Sequence, residues 1–112
     1  MLRSTDDFYG IIFDIMDISK KTQDGRLVLS VSGRLDTTTA PQLEAEIPNE
    51  GVCEVEFDFS SLEYMSSAGL RVLIKTQKAM NACGGKMIVA HPNATVKTVL
   101  DITGCSGIFT IV

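Results

Sequence analysis

The chain has 112 residues, of which 45% are hydrophobic and 21% are charged. This composition predicts one globular domain that buries a core without help from disulfides or metals. The formal net charge of −4 and the scattered lysines and arginines exclude the basic stripe of a nucleic-acid-binding protein. No window approaches the roughly 18 apolar residues of a membrane span, and residues 1–7 are too polar and acidic to open a signal peptide. We therefore expect a cytoplasmic protein that contacts neither nucleic acid nor membrane.

The three cysteines, Cys53, Cys83 and Cys105, stand far apart in the chain. Their odd number, the lack of a C-x-x-C pair and the lack of a histidine cluster argue against a disulfide framework and against a zinc site. We predict that all three are reduced thiols in the core, and we expect no metal or other cofactor.

Alternating apolar residues predict two strands in the first third of the chain. Residues 11–19 are one candidate, and Asp24 with Gly25 is a hairpin signal between it and the next. The second strand is predicted to end at Gly33, and its firmly apolar face consists of Leu27, Leu29 and Val31. The two strands should therefore pair in antiparallel fashion.

A helix is predicted after this hairpin. Thr39 and Gln42 have the spacing of a capping box, and Pro41 suits the first helical turn. Its apolar stripe would consist of Ala40, Leu43 and Ile47. We expect the helix to end at residues 48–49.

The next strand alternates cleanly between an apolar and an acidic face. The apolar positions are Cys53, Val55, Phe57 and Phe59, and the acidic ones are Glu54, Glu56 and Asp58. This pattern predicts a sheet that is covered mainly on one side.

Two further helices and two further strands complete the prediction. One helix begins near Ser67, ends at residues 84–85 and carries an apolar stripe made of Leu70, Leu73, Ile74 and Met80. Residues 87–90 form a short buried strand, and residues 108–112 form the last one. Between them, Pro92 and Asn93 cap a helix whose inward residues are Val96, Val99 and Leu100.

The resulting order, β-β-α-β-α-β-α-β, predicts an α/β fold with a small mixed, largely parallel sheet and helices mainly on one face. The segments 33–38 and 60–67 both follow strands in this scheme. They should meet on one rim of the sheet, which places Asp36 near Ser66 and Ser67.

Enzymatic chemistry has little support in the sequence. A serine nucleophile needs a general base, yet His91 is the only histidine and no G-x-S-x-G elbow surrounds Ser67. Residues 83–86 hold two glycines and a lysine without the spacing of a phosphate loop. The acidic residues fit solvated faces better than a paired acid-base site. We expect that the protein is not an enzyme.

Ser66 and Ser67 allow two interpretations at the start of the helix. Either hydroxyl can cap the unpaired N–H groups of the first turn. The same N–H groups and the helix dipole also favour a phosphate at this position. Residue chemistry leaves both roles open, and they are compatible with each other.

Two longer segments carry a family resemblance: Gly33-Arg34-Leu35-Asp36-Thr37-Thr38-Thr39-Ala40, and Asp58-Phe59-Ser60 continuing through Tyr64-Met65-Ser66-Ser67-Ala68-Gly69-Leu70. Together they resemble the STAS domain family, specifically the stand-alone anti-sigma factor antagonists. The resemblance covers residues 11–112 and leaves residues 1–10 as an N-terminal tail.

The resemblance implies that Ser67 is the phosphorylated residue, with Ser66 as second choice. It also implies that Asp36 belongs to the surface that a partner kinase reads. The implied partner-binding set is Asp36, Thr38, Ser66, Ser67, Ala68, Gly69 and Arg71. Ser66 and Ala68 differ from the residues that many phosphorylated members have at these positions, which changes the local charge and hydrogen bonding.

The implied mechanism is partner switching. The unphosphorylated domain would bind an anti-sigma factor that is also a serine kinase, phosphorylation would weaken that binding, and a serine phosphatase would reset the switch. ATP and Mg²⁺ would belong to the kinase. The alternative is a non-phosphorylated STAS scaffold or sensor module within a larger signalling assembly.

Overall fold

A five-stranded mixed sheet organises the chain in a computed structural model that describes residues 16–48 and 51–112. Strands β1 (Asp17–Gln23) and β2 (Arg26–Leu35) pair in antiparallel fashion. Strands β3 (Glu54–Met65), β4 (Lys86–Ala90) and β5 (Thr110–Ile111) follow in parallel and lie in chain order across the sheet. The predicted mixed, largely parallel sheet is confirmed.

Three helices connect the parallel strands: α1 (Ala40–Ala45), α2 (Ser67–Ala82) and α3 (Ala94–Ile102). A single 3₁₀ turn (Cys105–Gly107) precedes β5. The predicted order of elements is thus confirmed, and α2 begins at Ser67 as expected. No helix within the described ranges is long and apolar enough to cross a membrane.

The hairpin between β1 and β2 has the turn that its sequence predicts. Asp24 and Gly25 both have positive φ, at 55° and 79°, as a two-residue type I′ turn requires. Gln23 and Arg26 flank the turn as the last pair of the ladder. The first strand, however, continues to Gln23 instead of ending at residue 19, and residues 11–15 of the prediction lie outside the described residues.

One apolar core joins the sheet to α1, α2 and α3. In β3, Val55, Phe57 and Phe59 are fully buried, whereas the alternating acidic residues are only half-buried. On the acidic face, Arg26 donates to Glu54 and Glu56 at 2.8 Å each. These hydrogen bonds raise the pKa of the Arg26 guanidinium. The predicted segregation of core and acidic face is confirmed for residues 54–59, whereas Cys53, predicted on the apolar face, is exposed and precedes the strand.

Pairing between β2 and β3 extends both strands beyond their predicted ends. β2 passes Gly33 and ends at Leu35, while β3 runs through Met65, so residues 60–65 are strand and not loop. The ladder shifts register twice, next to Ser32 and next to Gly33. The predictions failed here because a neighbouring strand supplies backbone hydrogen bonds that local propensity does not reveal.

The end of α1 and the extent of the last strand also differ from the prediction, by a few residues each. α1 ends at Ala45, so Ile47 packs against the core from the segment after the helix. The last strand comprises two residues, and Ile108 is exposed.

The prediction of three reduced core thiols is wrong for two of them. Cys53 and Cys83 are exposed and paired as a disulfide, with Cα atoms 6.0 Å apart. Cys105 is a buried free thiol, as expected. The pairing could not be predicted from the sequence because the two cysteines are 30 positions apart and meet only when β3 lies beside the end of α2.

Candidate functional site

The carboxyl ends of β2 and β3 form one rim of the sheet. Leu35 and Met65 are the last pair of the ladder, and the Ser66 N–H donates to the Leu35 carbonyl at 2.9 Å. The segment that begins with Asp36 therefore lies beside the start of α2. The expected meeting of the two segments is confirmed.

Ser66 is the N-cap of α2. Its backbone is extended, with φ −98° and ψ 179°, and its hydroxyl accepts a hydrogen bond from the Ala68 N–H at 3.3 Å. Its carbonyl accepts the Leu70 N–H at 3.0 Å, which closes the first turn. The half-buried Ser66 side chain is thus engaged in starting the helix.

Ser67 is the first residue of α2, and its side chain is exposed. Residues four positions apart share a helix face, so Arg71 and Lys75 continue the line that Ser67 begins. Both are exposed. The predicted phosphoryl acceptor therefore lies at the positive end of a 16-residue helix, in line with Arg71 one turn further along.

Asp36 and Thr39 hold each other in the neighbouring loop. Asp36 Oδ1 accepts the N–H groups of Thr38 and Thr39 at 3.0 and 3.2 Å. Thr39 Oγ1 accepts the Asp36 N–H at 2.9 Å and donates to the Arg34 carbonyl at 2.8 Å. The Asp36 carboxylate thus shapes the loop as well as lining the rim.

The predicted capping box at α1 is wrong. Thr39 is the N-cap by position, yet its side chain makes no capping hydrogen bond. Its hydroxyl instead accepts a hydrogen bond from the Asp36 N–H and donates one to the Arg34 carbonyl. The Gln42 side chain contacts the Met16 carbonyl at 3.5 Å and does not reach back to the cap.

A shallow groove runs between α1 and α2 next to Ser67. Its lining consists of Thr37, Ala40, Pro41, Glu44, Ala68, Arg71, Val72 and Lys75. Lys75 forms an ion pair with Glu44 across it. The groove brings together Ala68 and Arg71 of the predicted partner-binding set, and Thr38 lies exposed next to Thr37.

Gly69 differs from the other members of that set because it is buried. A Cβ at this position would come within 2.6 Å of Leu35 Cγ and 3.0 Å of Met65 Cγ. Gly69 therefore lets α2 approach the ends of β2 and β3, and it offers no side chain to a partner. Its contribution to the site is close packing.

Arg34 and Tyr64 form a contact at the rim that the sequence analysis missed. The Arg34 guanidinium lies over the Tyr64 ring, 4.4 Å from its centroid, and its Nε is 4.0 Å from Asp36 Oδ2. A cation over an aromatic face is attracted by the ring quadrupole. The only signal for this pair is the register between β2 and β3, in which the two residues are partners.

His91 lies away from the serines. It follows Ala90, which pairs with Asp58, while β3 continues for seven more residues toward Ser66. At about 3.3 Å per residue, the separation along the strand is roughly 20 Å. A histidine that far from Ser67 is not its general base.

Among the described residues, no three metal-ligating side chains cluster.

Comparison with known proteins agrees with this architecture. The STAS domain profile matches residues 17–112. BtrV of Bordetella bronchiseptica, named as an anti-sigma factor antagonist, is 31% identical over 99 residues, which cover 86% of this chain and 85% of BtrV. The crystal structure of an anti-sigma factor antagonist from Mycobacterium paratuberculosis superposes with a TM-score of 0.78 at 27% identity, covering 88% of this chain and 86% of that one.

SpoIIAA, a cell fate determinant of Bacillus solved in its phosphorylated form, has a TM-score of 0.70 and 20% identity, covering 86% of this chain and 91% of its own. The family match spans nearly all of the described residues, and the BtrV match covers most of both chains. The chain therefore belongs to the STAS domain family, and it is a STAS domain of the anti-sigma factor antagonist type.

Proposed function

We propose that this protein works by partner switching. Its unphosphorylated form binds an anti-sigma factor that is also a serine kinase, and this binding frees a sigma factor. Phosphorylation of Ser67 by the kinase ends the interaction, and a serine phosphatase restores it. The observation that carries the proposal is the exposed Ser67 hydroxyl at the first position of α2, in a chain whose relatives are named anti-sigma factor antagonists.

Ser66 and Ser67 have different structural roles, and this difference favours Ser67 as the acceptor. Ser66 is half-buried, and its hydroxyl already caps the helix by accepting the Ala68 N–H. Ser67 is exposed one residue later, where a new phosphate meets the unpaired N–H groups of the first turn. Phosphorylation of Ser67 therefore leaves the helix start intact.

The transfer itself requires little from this chain. The Ser67 Oγ attacks the γ-phosphorus of ATP, the bond to ADP breaks, and the hydroxyl proton passes to a base of the kinase. The added group carries about −1.5 to −2 charges at pH 7. Arg71, one turn further along the helix, partly offsets this charge. No cofactor is needed on this side of the complex.

The groove between α1 and α2 is the surface we assign to the partner. Its apolar floor includes Ala40, Ala68 and Val72, and the Glu44–Lys75 ion pair borders it. A partner that covers this floor must also desolvate the start of α2. A phosphate buried there without a matching cation would cost binding energy. One modification can therefore make an otherwise favourable interface unfavourable.

The experiment combines phosphorylation and binding. The purified protein is incubated with ATP and soluble extract of the source organism, and phosphopeptides are mapped by mass spectrometry. We expect one phosphate on Ser67, which is lost in Ser67→Ala. Proteins captured on Ser67→Ala should include an ATP-binding kinase, and Ser67→Asp should capture at least tenfold less of it.

Ser66→Ala is the matched control. It removes the neighbouring hydroxyl and keeps Ser67, so phosphate should still be found on Ser67. A phosphate that disappears in Ser66→Ala and persists in Ser67→Ala would move the acceptor by one residue. A kinase that binds Ser67→Ala and Ser67→Asp equally, with no phosphate in the wild type, would refute partner switching and support the scaffold alternative.

A further inference from the structure

We propose that Cys53 and Cys83 are a covalent modification site, a dithiol that small disulfides of the glutathione type oxidise reversibly. Both cysteines are exposed and can meet such a reagent, whereas Cys105 is buried. The Cα atoms of the pair are 6.0 Å apart, inside the range of about 4.4–6.8 Å that a disulfide spans. The site is independent of the proposed phosphorylation.

Backbone contacts bring the two cysteines together without help from sulfur. The Lys86 N–H donates to the Cys53 carbonyl at 3.0 Å. The N–H groups of Cys83 and Gly85 both donate to the Met80 carbonyl, at 3.2 and 2.8 Å, which fixes the turn after α2. The start of β3 and the end of α2 are therefore neighbours in the dithiol form as well.

Gly85 makes this approach possible. A Cβ built on Gly85 would lie 1.5 Å from the Cys53 carbonyl oxygen, so only a residue without a side chain fits between the turn and the strand. The two thiols are thereby held at reacting distance by a rigid frame. Such pre-organisation gives the second thiol a high effective concentration and favours ring closure over a lasting mixed disulfide.

The chemistry is thiol–disulfide exchange in two balanced steps. The thiolate of one cysteine attacks a sulfur of oxidised glutathione and releases one glutathione thiolate, which leaves a mixed disulfide. The other cysteine then loses its proton to solvent and attacks the protein sulfur, releasing the second glutathione. The protein dithiol is oxidised by two electrons, and one glutathione disulfide is reduced to two thiols.

Closure links positions that are 30 residues apart and encloses β3 and α2, including both serines of the rim. Cross-linking a loop of this length limits the unfolded chain, so Tm should rise by roughly 10 °C on oxidation. The cross-link lies at the end of α2 opposite to Ser67, about 24 Å away for 16 residues. Ser67 therefore stays accessible in both redox states.

The test uses the reduced, purified full-length protein in glutathione buffers of stepped ratio, without ATP. Free thiols are trapped with N-ethylmaleimide, and intact mass and Tm are recorded for each buffer. In the wild type we expect conversion to the internal disulfide with little glutathione adduct, and a Tm rise of roughly 10 °C. Returning the sample to reduced glutathione should reverse both changes.

Cys53→Ser and Cys83→Ser each leave one member of the pair, which should accumulate as a mixed disulfide with glutathione and show no comparable rise in Tm. Cys105→Ser is the matched control and should oxidise as the wild type does. The proposal is overturned if wild-type protein accumulates glutathione on both cysteines without ring closure. It is also overturned if Cys105→Ser abolishes the disulfide.

Discussion

The two ends of α2 are held in different ways. At its start, one backbone hydrogen bond from Ser66 to Leu35 joins the helix to the sheet, and Ser67 beside it is exposed. At its end, Gly85 packs directly against the backbone of Cys53, and Cys83 is paired with the same residue. We call the start of α2, where Ser67 is exposed, the open end. We call the end of α2, which is held by Gly85 and by the pairing of Cys83 with Cys53, the closed end.

The start of α2 bears the candidate functional residue, and the end of the same helix bears contacts that mainly stabilise the fold. The phosphorylation proposed for Ser67 requires that a kinase can reach this residue, so the position of Ser67 has to come from contacts below and beside it. Gly69 and the Asp36–Thr39 loop supply those contacts. Changes at the closed end should lower stability, and changes at the open end should also affect phosphorylation and partner binding.

The largest effect is expected for Gly85→Ala at the closed end. The new methyl group would meet the Cys53 carbonyl oxygen at 1.5 Å, and backbone cannot move aside as a side chain can. We expect a loss of about 3 kcal/mol or more in the free energy of unfolding, measured by urea denaturation under reducing conditions. Gly84→Asn is the control, because φ at Gly84 is 73°, which asparagine tolerates, and nothing crowds that position. Equal stability of the two variants would contradict the packing role of Gly85.

Thr39→Val should cost about 2 kcal/mol at the open end. Valine keeps the shape but removes the hydroxyl, so the Arg34 carbonyl and the Asp36 N–H lose their partner in a residue that is only 6% exposed. Thermal unfolding measures the loss, and capture of the proposed kinase partner tests whether the loop has moved. Thr38→Val is the matched control at the adjacent exposed position, where stability should hardly change. A Thr39→Val protein as stable as Thr38→Val would show that the hydroxyl does not hold the loop.

Gly69→Ala should cost about 1.5 kcal/mol. The added Cβ would approach Leu35 Cγ to 2.6 Å, and the cost of overpacking exceeds the roughly 1 kcal/mol that alanine gains in a helix. Because the clash pushes α2 away from the rim, the rate of the proposed phosphorylation of Ser67 should fall together with stability. Lys78→Ala, on the exposed side of the same helix, should leave both unchanged. A stabilised Gly69→Ala protein would mean that helix propensity outweighs the contact.

Asn93→Asp should have the smallest effect, about 1 kcal/mol. Asn93 caps α3 by accepting the Val96 N–H at 2.8 Å and donates through Nδ2 to the Leu62 carbonyl at 2.9 Å. Aspartate keeps the cap and places a carboxylate oxygen instead of a donor beside the Leu62 carbonyl, so the variant tests the tie to the part of β3 that leads to Ser66. Chemical denaturation gives the value. Asn93→Ala loses the cap as well as the donated hydrogen bonds and should cost about twice as much, and an unchanged Asn93→Asp protein would show that this tie is dispensable.

Local chemistry made much of this protein predictable from sequence. Asp24 and Gly25 specify their turn, Asn93 caps α3, and Ser66 with Ser67 starts α2 where expected. Each depends on a few adjacent residues whose preferences act over one turn of backbone. The alternation between residues 54 and 59 likewise predicted which side chains of this part of β3 are buried. The meeting of Asp36 with the two serines followed from the strand order.

Contacts between distant segments decided the rest. The length of β2 and β3, the Arg34–Tyr64 contact and the pairing of Cys53 with Cys83 each depend on where one segment lies against another. The hydroxyl of Thr39 could cap α1 or hold the loop. It bonds to the Arg34 carbonyl, whose position depends on the pairing of Arg34 with Tyr64 of β3. The sequence by itself therefore determined the elements, their order and the family, because these follow from local preference and periodicity. Only the tertiary structure decided register, the close approach at Gly85 and the cysteine pair, because their energies arise between residues far apart in the chain.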